Sequence, residues 1–545
     1  MRLSESLNLE LAWDKSKRNI DDNQKVFVNN PHITDIIDND ENKQDFIRSL
    51  YYSIEDGYFP SDARVINVPK RNWNIRPGRY LEIKDATLYS AIVIDMYDDI
   101  RKRIKWSSND CRYSRILLDD IDGTKWMEKP VQSWKKYNKK TRKLAEEYDY
   151  VVLTDVNSYF ENIDHRLLDS KIRTIYDNDN IRSLLRNCLR RWHRPKSRGL
   201  PQGYYPSNVL SELYFDSIDR GLKSKGIHHV RYSDDLILFC EDKEEAINSL
   251  RYLIKIYRES GLYLNRKKTR VLSSEEALEE FKNPKDVISE INKKVGDRIE
   301  REKEQKRKEI KEKKRKTGGV TVDDVKTEVK LPYTDGGVVS YSKLSDDEKA
   351  KVVEKAFDKH IQDKESVDGT LFRFLIRRMG YLNSYYAVPY CMKRIENGGP
   401  DIRRILDKYF SNLDNKESLA GKMMEMILSG DVPYEYHEFA IVRWIFQAGI
   451  RSKEIIGGMR ELLNRDYEIR EIKNYIISYL GEHGEAIDIK AIFDRYPRTS
   501  NDVRKSIILM GIRNMESGMR ATIYNQAKTD HQYCEFSIDL AKEKA

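Results

Sequence analysis

Cysteine is scarce in this chain, and what there is lies scattered. Its 545 residues include five (Cys111, Cys188, Cys240, Cys391, Cys534), an odd number with no C-x-x-C pair. A disulfide framework or a zinc cluster is therefore not expected, and a reducing cytoplasm suits the set. Long apolar runs are missing too. The N-terminal stretch MRLSESLNLELAWDKSKRN is broken by charges every few residues. Nowhere does the sequence approach the roughly 18–20 apolar residues of a signal anchor or membrane span. A soluble cytoplasmic protein with no membrane partner is the expectation. A strong charge imbalance is also absent: 99 Lys and Arg face 90 Asp and Glu, a net charge of +9. That balance is compatible with a polyanionic partner without requiring one.

What is present suffices for two or three domains. Hydrophobic residues make up 39% of the chain, enough for cores, and charged residues 35%, enough for a heavily solvated surface. Residues 1–60 read as a mostly helical extension. Residues 61–275 alternate β-rich runs, such as VVLTDV (151–156) and LILFC (236–240), with amphipathic helices, such as 182–192 and 246–260. That mixture predicts an α+β domain whose sheet carries functional residues at its strand ends. Residues 276–344 read as a charged helix and linker, or a thumb-like segment. Within it, Lys293–Lys316 holds thirteen basic and six acidic residues, a surplus of seven out of the net nine. This run suits a solvated helix or a phosphate contact. From 345 to 545 the helical period dominates, which predicts an all-α domain, with stacked helical hairpins as one arrangement.

The chemistry-bearing residues are acids. VVLTDV delivers Asp155 at the end of an apolar strand. VRYSDDLILFC places Asp234 and Asp235 at the tip of an expected hairpin. Adjacent carboxylates repel, and a bound cation relieves that repulsion. Mg²⁺ takes hard oxygen ligands of this kind. Taken alone, Y-S-D-D also suits an ordinary Asp-rich turn.

Order and context narrow the reading. Asp155 is followed by Phe160, then Leu200-Pro201-Gln202-Gly203, then Tyr232-Ser233-Asp234-Asp235, then Gly261-Leu262-Tyr263-Leu264-Asn265-Arg266-Lys267-Lys268-Thr269. This series resembles reverse transcriptases. The resemblance implies right-hand polymerase fingers and palm, with an antiparallel sheet and helices. It further implies two Mg²⁺ ions, or Mn²⁺ in their place, on Asp155, Asp234, Asp235 and the Val156 carbonyl. Phe160 would be the steric gate against a 2′-hydroxyl, or else a core aromatic following the strand, and Gln202 would steady the templating base and incoming nucleotide. Lys268 would approach the leaving group, or equally be a solvated lysine. Residues 67–93 are similar to the family's fingers, which makes Lys70, Arg76 and Arg79 candidates for the triphosphate. The basic run 186–198, with Trp192 and His193, suits a template strand through charge and stacking; a surface helix end is the alternative.

The flanks carry no C-x-x-C or H-N-H endonuclease pattern and no evident ribonuclease H domain. A palm followed by a long helical region looks like the bacterial abortive-infection and defence-associated reverse transcriptases. That resemblance implies antiviral defence, a non-coding RNA partner and template, deoxynucleoside triphosphates, a DNA product and a homo-oligomer. Protein priming is a further family trait, for which Tyr524 and Tyr533, near a C-terminus expected to be mobile, are candidates. Three alternatives stay open: a mobile-element or retron-like enzyme without an immune role, an RNA-dependent RNA polymerase, and a catalytically silent RNA-binding scaffold.

Overall fold

The structure, a computed structural model, describes residues 4–22, 28–71, 73–121, 123, 125–281, 345–362 and 369–543. The basic run Lys293–Lys316 lies outside the described residues, as does the rest of 282–344. The fold is mixed α+β, as the sequence predicts, with two antiparallel sheets among many helices. The chain divides into two compact units. Residues 1–281 and 424–545 form the first, and residues 282–423 form the second.

In the first unit, helix α1 (Leu9–Asp22) packs on α2 (Ile83–Asp95). Between them in sequence, strands β1 (Arg64–Pro69) and β2 (Ile75–Tyr80) pair as a hairpin with Val68 opposite Arg76 and Val65 opposite Arg79. Then come α3 (Pro130–Glu147), β3 (Tyr150–Asp155), α4 (Asp179–Trp192) and α5 (Tyr205–Ser224). They are followed by β4 (His228–Tyr232), β5 (Asp235–Cys240), α6 (Lys243–Glu259) and β6 (Arg270–Ser273). The larger sheet runs β4-β5-β3-β6, all antiparallel.

Alternation along β5 explains how this sheet is clothed. Leu236, Leu238 and Cys240 enter one apolar core, built with α2, α4, α5 and α6, while Ile237 and Phe239 enter a second, with Tyr137 and Leu144 of α3. A strand with period 2 and apolar residues at every position is buried on both faces. Each face is therefore covered by helices, and the strand ends are left as the place where polar groups can collect. Helix α5 is buried nearly all round, and it carries Glu212, Asp216 and Asp219 into the interior. Buried charges of this kind require partners; Arg103 and Arg220 supply them to Asp216, each at 2.9 Å, and those of Glu212 and Asp219 are described below.

The second unit is helical in its described part, with α7 (Asp346–Phe357) and α8 (Gly369–Tyr381) packed together. Helix α7 opens with a capping box between Ser345 and Glu348, which satisfies two backbone donors at the helix start.

The chain then returns to the first unit through α9 (Glu435–Gln447), α10 (Lys453–Leu462), α11 (Glu471–His483), α12 (Asp502–Gly511), α13 (Ser517–Ala527) and α14 (Gln532–Glu543). These helices touch the β1–β2 hairpin. Arg64 forms a two-pronged ion pair with the buried Glu471 of α11, one N–O distance being 3.2 Å. Asn474 donates to Asn30 at 2.6 Å, and Tyr475 donates to Asn29 at 3.0 Å. At the hairpin's far end, the Tyr434 hydroxyl donates to the Trp73 carbonyl at 3.3 Å. Among the described residues no helix is long and apolar enough to cross a membrane.

Candidate functional site

Strand register assembles the acids. Asp155 ends β3 directly opposite Asp235, which begins β5, and Tyr232 pairs with Asp235 from β4. Residues directly opposite one another point to the same face, so Asp155 and Asp235 share one side of the sheet at its open end. Asp234 occupies the two-residue turn between β4 and β5. Ser233, first in that turn, has φ +64°, a left-handed conformation that hairpins of this length need and that glycine usually supplies. Three contacts hold a serine there. Its N–H donates to Ser114 Oγ at 2.5 Å, its carbonyl accepts from Arg231 at 3.1 Å, and its hydroxyl donates to Asp234 at 2.9 Å.

The segment after α6 is clasped to the end of β3. Asn265 donates from its backbone to the Asp155 carbonyl at 2.8 Å and from its side chain to Asp155 Oδ2 at 2.9 Å. Asn157 donates to the Tyr263 carbonyl at 2.8 Å. Lys268 then reaches Asp155 Oδ1 at 3.0 Å. Val156 bridges to Leu264, but its neighbours make the flanking hydrogen bonds. Burial works against the Lys268 charge, yet Asp155, Asp235 and Asp234 together raise its pKa. Asp235 is pushed up by burial and then by the charges of Asp234 and Asp155. Asp155 thus pairs directly with Lys268, while Asp235 and Asp234 act on it through their charges, so the acids at this end of the sheet outnumber that cation. Carboxylate oxygens with a surplus of negative charge are donors of the kind that suits Mg²⁺ or Mn²⁺.

Phe160 lies on the short helix Tyr159–Asn162, reached through Ser158 at φ +47°. Its ring is buried, and its carbonyl accepts from the Leu200 N–H at 2.9 Å. That bond and the one from Gly199 to Ile163 at 2.8 Å bring the loop holding Gln202 alongside Phe160. Gln202 is half-buried. The loop is anchored further by the Ser207 hydroxyl on the Pro201 carbonyl at 2.6 Å, and by Asn19 of α1, which accepts from Tyr205 N–H at 2.5 Å. Gly199, at φ +108°, has no room for a side chain, since a Cβ there would stand 2.6 Å from the His193 ring.

The β1–β2 hairpin brings Lys70 into the field of Asp155. Burial lowers the Lys70 pKa and Arg76 lowers it further, while Glu161 and Asp155 oppose them. Burial lowers Arg79 as well, again opposed by Glu161. Lys70 and Arg79 therefore share the field of Glu161, one residue beyond Phe160. Arg76 faces Val68 across the hairpin and adds to the positive field on Lys70.

Several expectations are corrected by the packing. Trp192 is buried and stands 5.1 Å from the Tyr89 ring. His193 is buried too, and burial, His165 and Arg79 push its pKa down to about 3. Neither ring is placed to stack on a template. The exposed aromatic beside this basic run is Phe59, 74% exposed, with Arg191 4.7 Å from its ring centre. Together with Arg190, Arg194 and Lys196 they line an open cleft. Tyr524 and Tyr533 are likewise buried on helices, and the Tyr524 hydroxyl donates to the Leu509 carbonyl at 3.0 Å. The helical period there buries one face, and both rings lie on it. Cys111 is less isolated than its place in sequence implies: its sulfur, Asp219 and His229 hold ligand atoms within 4.8 Å of one another. Asp219, however, already accepts from Arg231 Nε at 2.9 Å on both oxygens, which spends its charge on that arginine.

Sequence reasoning missed Arg115, Glu212, Asn19 and Glu161. The first two form part of a buried network below the turn. Glu212 faces Arg231 at 2.8 Å and Arg115 at 3.3 Å, and Arg115 lies 5.1 Å from the centre of the Phe160 ring.

Comparison with known proteins adds three findings. Residues 68–322 match the family model described as reverse transcriptase (RNA-dependent DNA polymerase). Over 85 residues, 14% of this chain, the sequence is 31% identical to the enzymatic polyprotein of Soybean chlorotic mottle virus. The stretch spans 12% of that relative's length. Among solved structures, apo telomerase from Candida Tropicalis is similar with a TM-score of 0.30 at 9% identity, over 80% of this chain and 73% of that one. Telomerase from Candida albicans in complex with the TWJ fragment of telomeric RNA is similar with a TM-score of 0.28 at 10% identity, over 75% of this chain and 65% of that one.

Proposed function

We propose that this chain, whose residues 68–322 match the reverse transcriptase family, is an RNA-directed DNA polymerase working by two-metal nucleotidyl transfer. The observation that carries the reading is the strand register that sets Asp155 opposite Asp235, with Asp234 in the adjoining turn. Two divalent ions bound there, Mg²⁺ or Mn²⁺, supply the charge that activates a 3′-oxygen and holds a triphosphate. Asp155, Asp234, Asp235 and the Val156 carbonyl would hold them.

The remaining roles follow from position. Lys70, Arg76 and Arg79 draw the triphosphate toward the acids, and arginine suits phosphate oxygens because its donors are forked. Gln202 steadies the base pair being formed. The buried Phe160 ring closes the space that a ribose 2′-hydroxyl would need. Lys268, a cation held 3.0 Å from Asp155, would stand where it can approach the leaving pyrophosphate.

The test is incorporation of labelled deoxynucleotides by the purified full chain with its bound nucleic acid, in Mg²⁺, with and without added primer. Asp234→Ala is expected to lower incorporation at least about a thousandfold, since the metals supply several kcal/mol. Undiminished synthesis would sink the assignment. Label that survives nuclease and follows the protein after denaturation indicates priming from a protein hydroxyl. Label on free nucleic acid indicates a nucleic-acid primer.

The setting we propose is anti-phage defence with a non-coding RNA partner and template. It is supported by the run of helices among the described residues from Asp346 onward. Phage challenge of cells carrying the wild-type or Asp234→Ala gene tests it. Protection by wild type alone supports the reading. Equal protection by both points to a binding scaffold, and protection by neither to a mobile-element or retron-like role.

A further inference from the structure

We infer that Arg115 is a positioning residue for sugar selection, holding the Phe160 ring in place through a strut anchored on the buried Glu212. The inference rests on the polymerase reading and on Phe160 as its gate.

Arg115 is held on every side. Its own backbone is left-handed, φ +49°, a conformation that non-glycine residues keep only where surroundings enforce it. The enforcement is visible: its carbonyl accepts from Arg112 Nη1 at 2.9 Å, and its neighbour Ser114 accepts from Ser233 in the catalytic turn. The side chain donates to Ser211 Oγ at 3.1 Å and pairs with Glu212 Oε1 at 3.3 Å. It is 19% exposed, whereas Glu212 is 1% exposed. The guanidinium therefore spans from a fixed buried carboxylate to the face of Phe160, 5.1 Å from the ring centre, within the range of a cation–π contact.

Glu212 also serves the other half of the site. Its second oxygen lies 2.8 Å from Arg231 Nη1, and the same nitrogen donates to the Ser233 carbonyl at 3.1 Å. One carboxylate thus ties the gate ring to the turn that carries Asp234. For an ordinary surface ion pair, neither the burial of Glu212 nor the alignment on Phe160 would be needed. A gate does need them. It must reject a single extra oxygen, and a ring free to shift by about an ångström would admit it.

Selectivity is read as the ratio of deoxynucleotide to ribonucleotide kcat/KM for one base on one primer–template, with equilibrium binding of both nucleotides in Mg²⁺ as a parallel readout. Arg115→Met, which removes the charge and keeps the length, is expected to reduce the ratio at least about tenfold. Most of the change should fall in the ribonucleotide KM. Arg115→Lys should restore part of it, since a cation returns without the planar fork. In a Phe160→Val background, Arg115→Met should change the ratio less than about twofold, because there is no ring left to hold. An unchanged ratio in folded Arg115→Met overturns the inference, and so does an equal change in both backgrounds. A Phe160→Val enzyme that keeps its selectivity overturns the gate itself and the strut with it. Absence of any incorporation strikes the polymerase reading instead, and the binding ratios still decide the strut.

Discussion

Asp85, at the start of α2, accepts from the Tyr58 hydroxyl at 2.9 Å and from the Ser61 N–H at 3.1 Å. Burial nevertheless outweighs those bonds and pushes its carboxyl up to about 7 from an ordinary 3.8. The folded protein therefore holds a proton there more tightly than the unfolded chain does. Stability from this group is complete below about pH 4 and is lost as pH rises through about 7, to an extent on the order of 4 kcal/mol. Asp85→Asn imitates the protonated form at every pH. The melting temperature of wild type is thus expected to fall relative to Asp85→Asn between pH 5 and pH 8. A constant gap across that range in parallel thermal melts would refute it. At this scale the sequence is legible only where a function keeps residues in linear order. Asp155, Asp234, Asp235 and Lys268 stand in such a series. Asn265 stands in it as well, but its bond to Asp155 becomes evident only from the fold. Arg115 and Glu212 are 97 positions apart and have no local pattern to mark them. Trp192, Tyr524 and Tyr533 misled because an aromatic ring reads the same in sequence whether it faces a ligand or a core.

Among elements, the strands announced themselves by continuous apolar runs: VVLTDV lies on β3 and LILFC on β5. Helices α4 and α6 follow the 3.6-residue period expected for 182–192 and 246–260. The approach of one helix to another leaves a fainter trace. A Cβ at Gly481 of α11 would meet the Gly511 backbone of α12 at 2.5 Å, so these helices touch through bare backbone. Gly481→Ala is expected to destabilise the protein by about 2 kcal/mol or more, as overpacking does. Gly457, within α10, has open space around it. Gly457→Ala should stabilise by about 0.5–1 kcal/mol through better helix propensity. Chemical denaturation of the two variants checks both signs, and equal effects would contradict this account of their surroundings.

For the whole molecule, composition suggests a break near residue 345, whereas the compact units divide the chain at 281 and 424. Amphipathic helices look alike in sequence whatever they pack on, so their return to the N-terminal unit could not be read in advance. The return is fixed by partners over 400 positions apart, Arg64 with Glu471 and Asn30 with Asn474. Glu471→Ala strands a largely buried arginine and is expected to cost about 3–5 kcal/mol. Hydrogen exchange should show the amides of β1 and β2 opening faster than those of β3. Unaltered exchange in the hairpin would mean that α11 does not hold it.

The same division has a consequence for the making of the protein. The hairpin that carries Lys70, Arg76 and Arg79 is translated early, yet its counterpart Glu471 emerges only after some 400 further residues have left the ribosome. A nascent chain can pair β3 with β5 well before the β1–β2 hairpin is braced by α11.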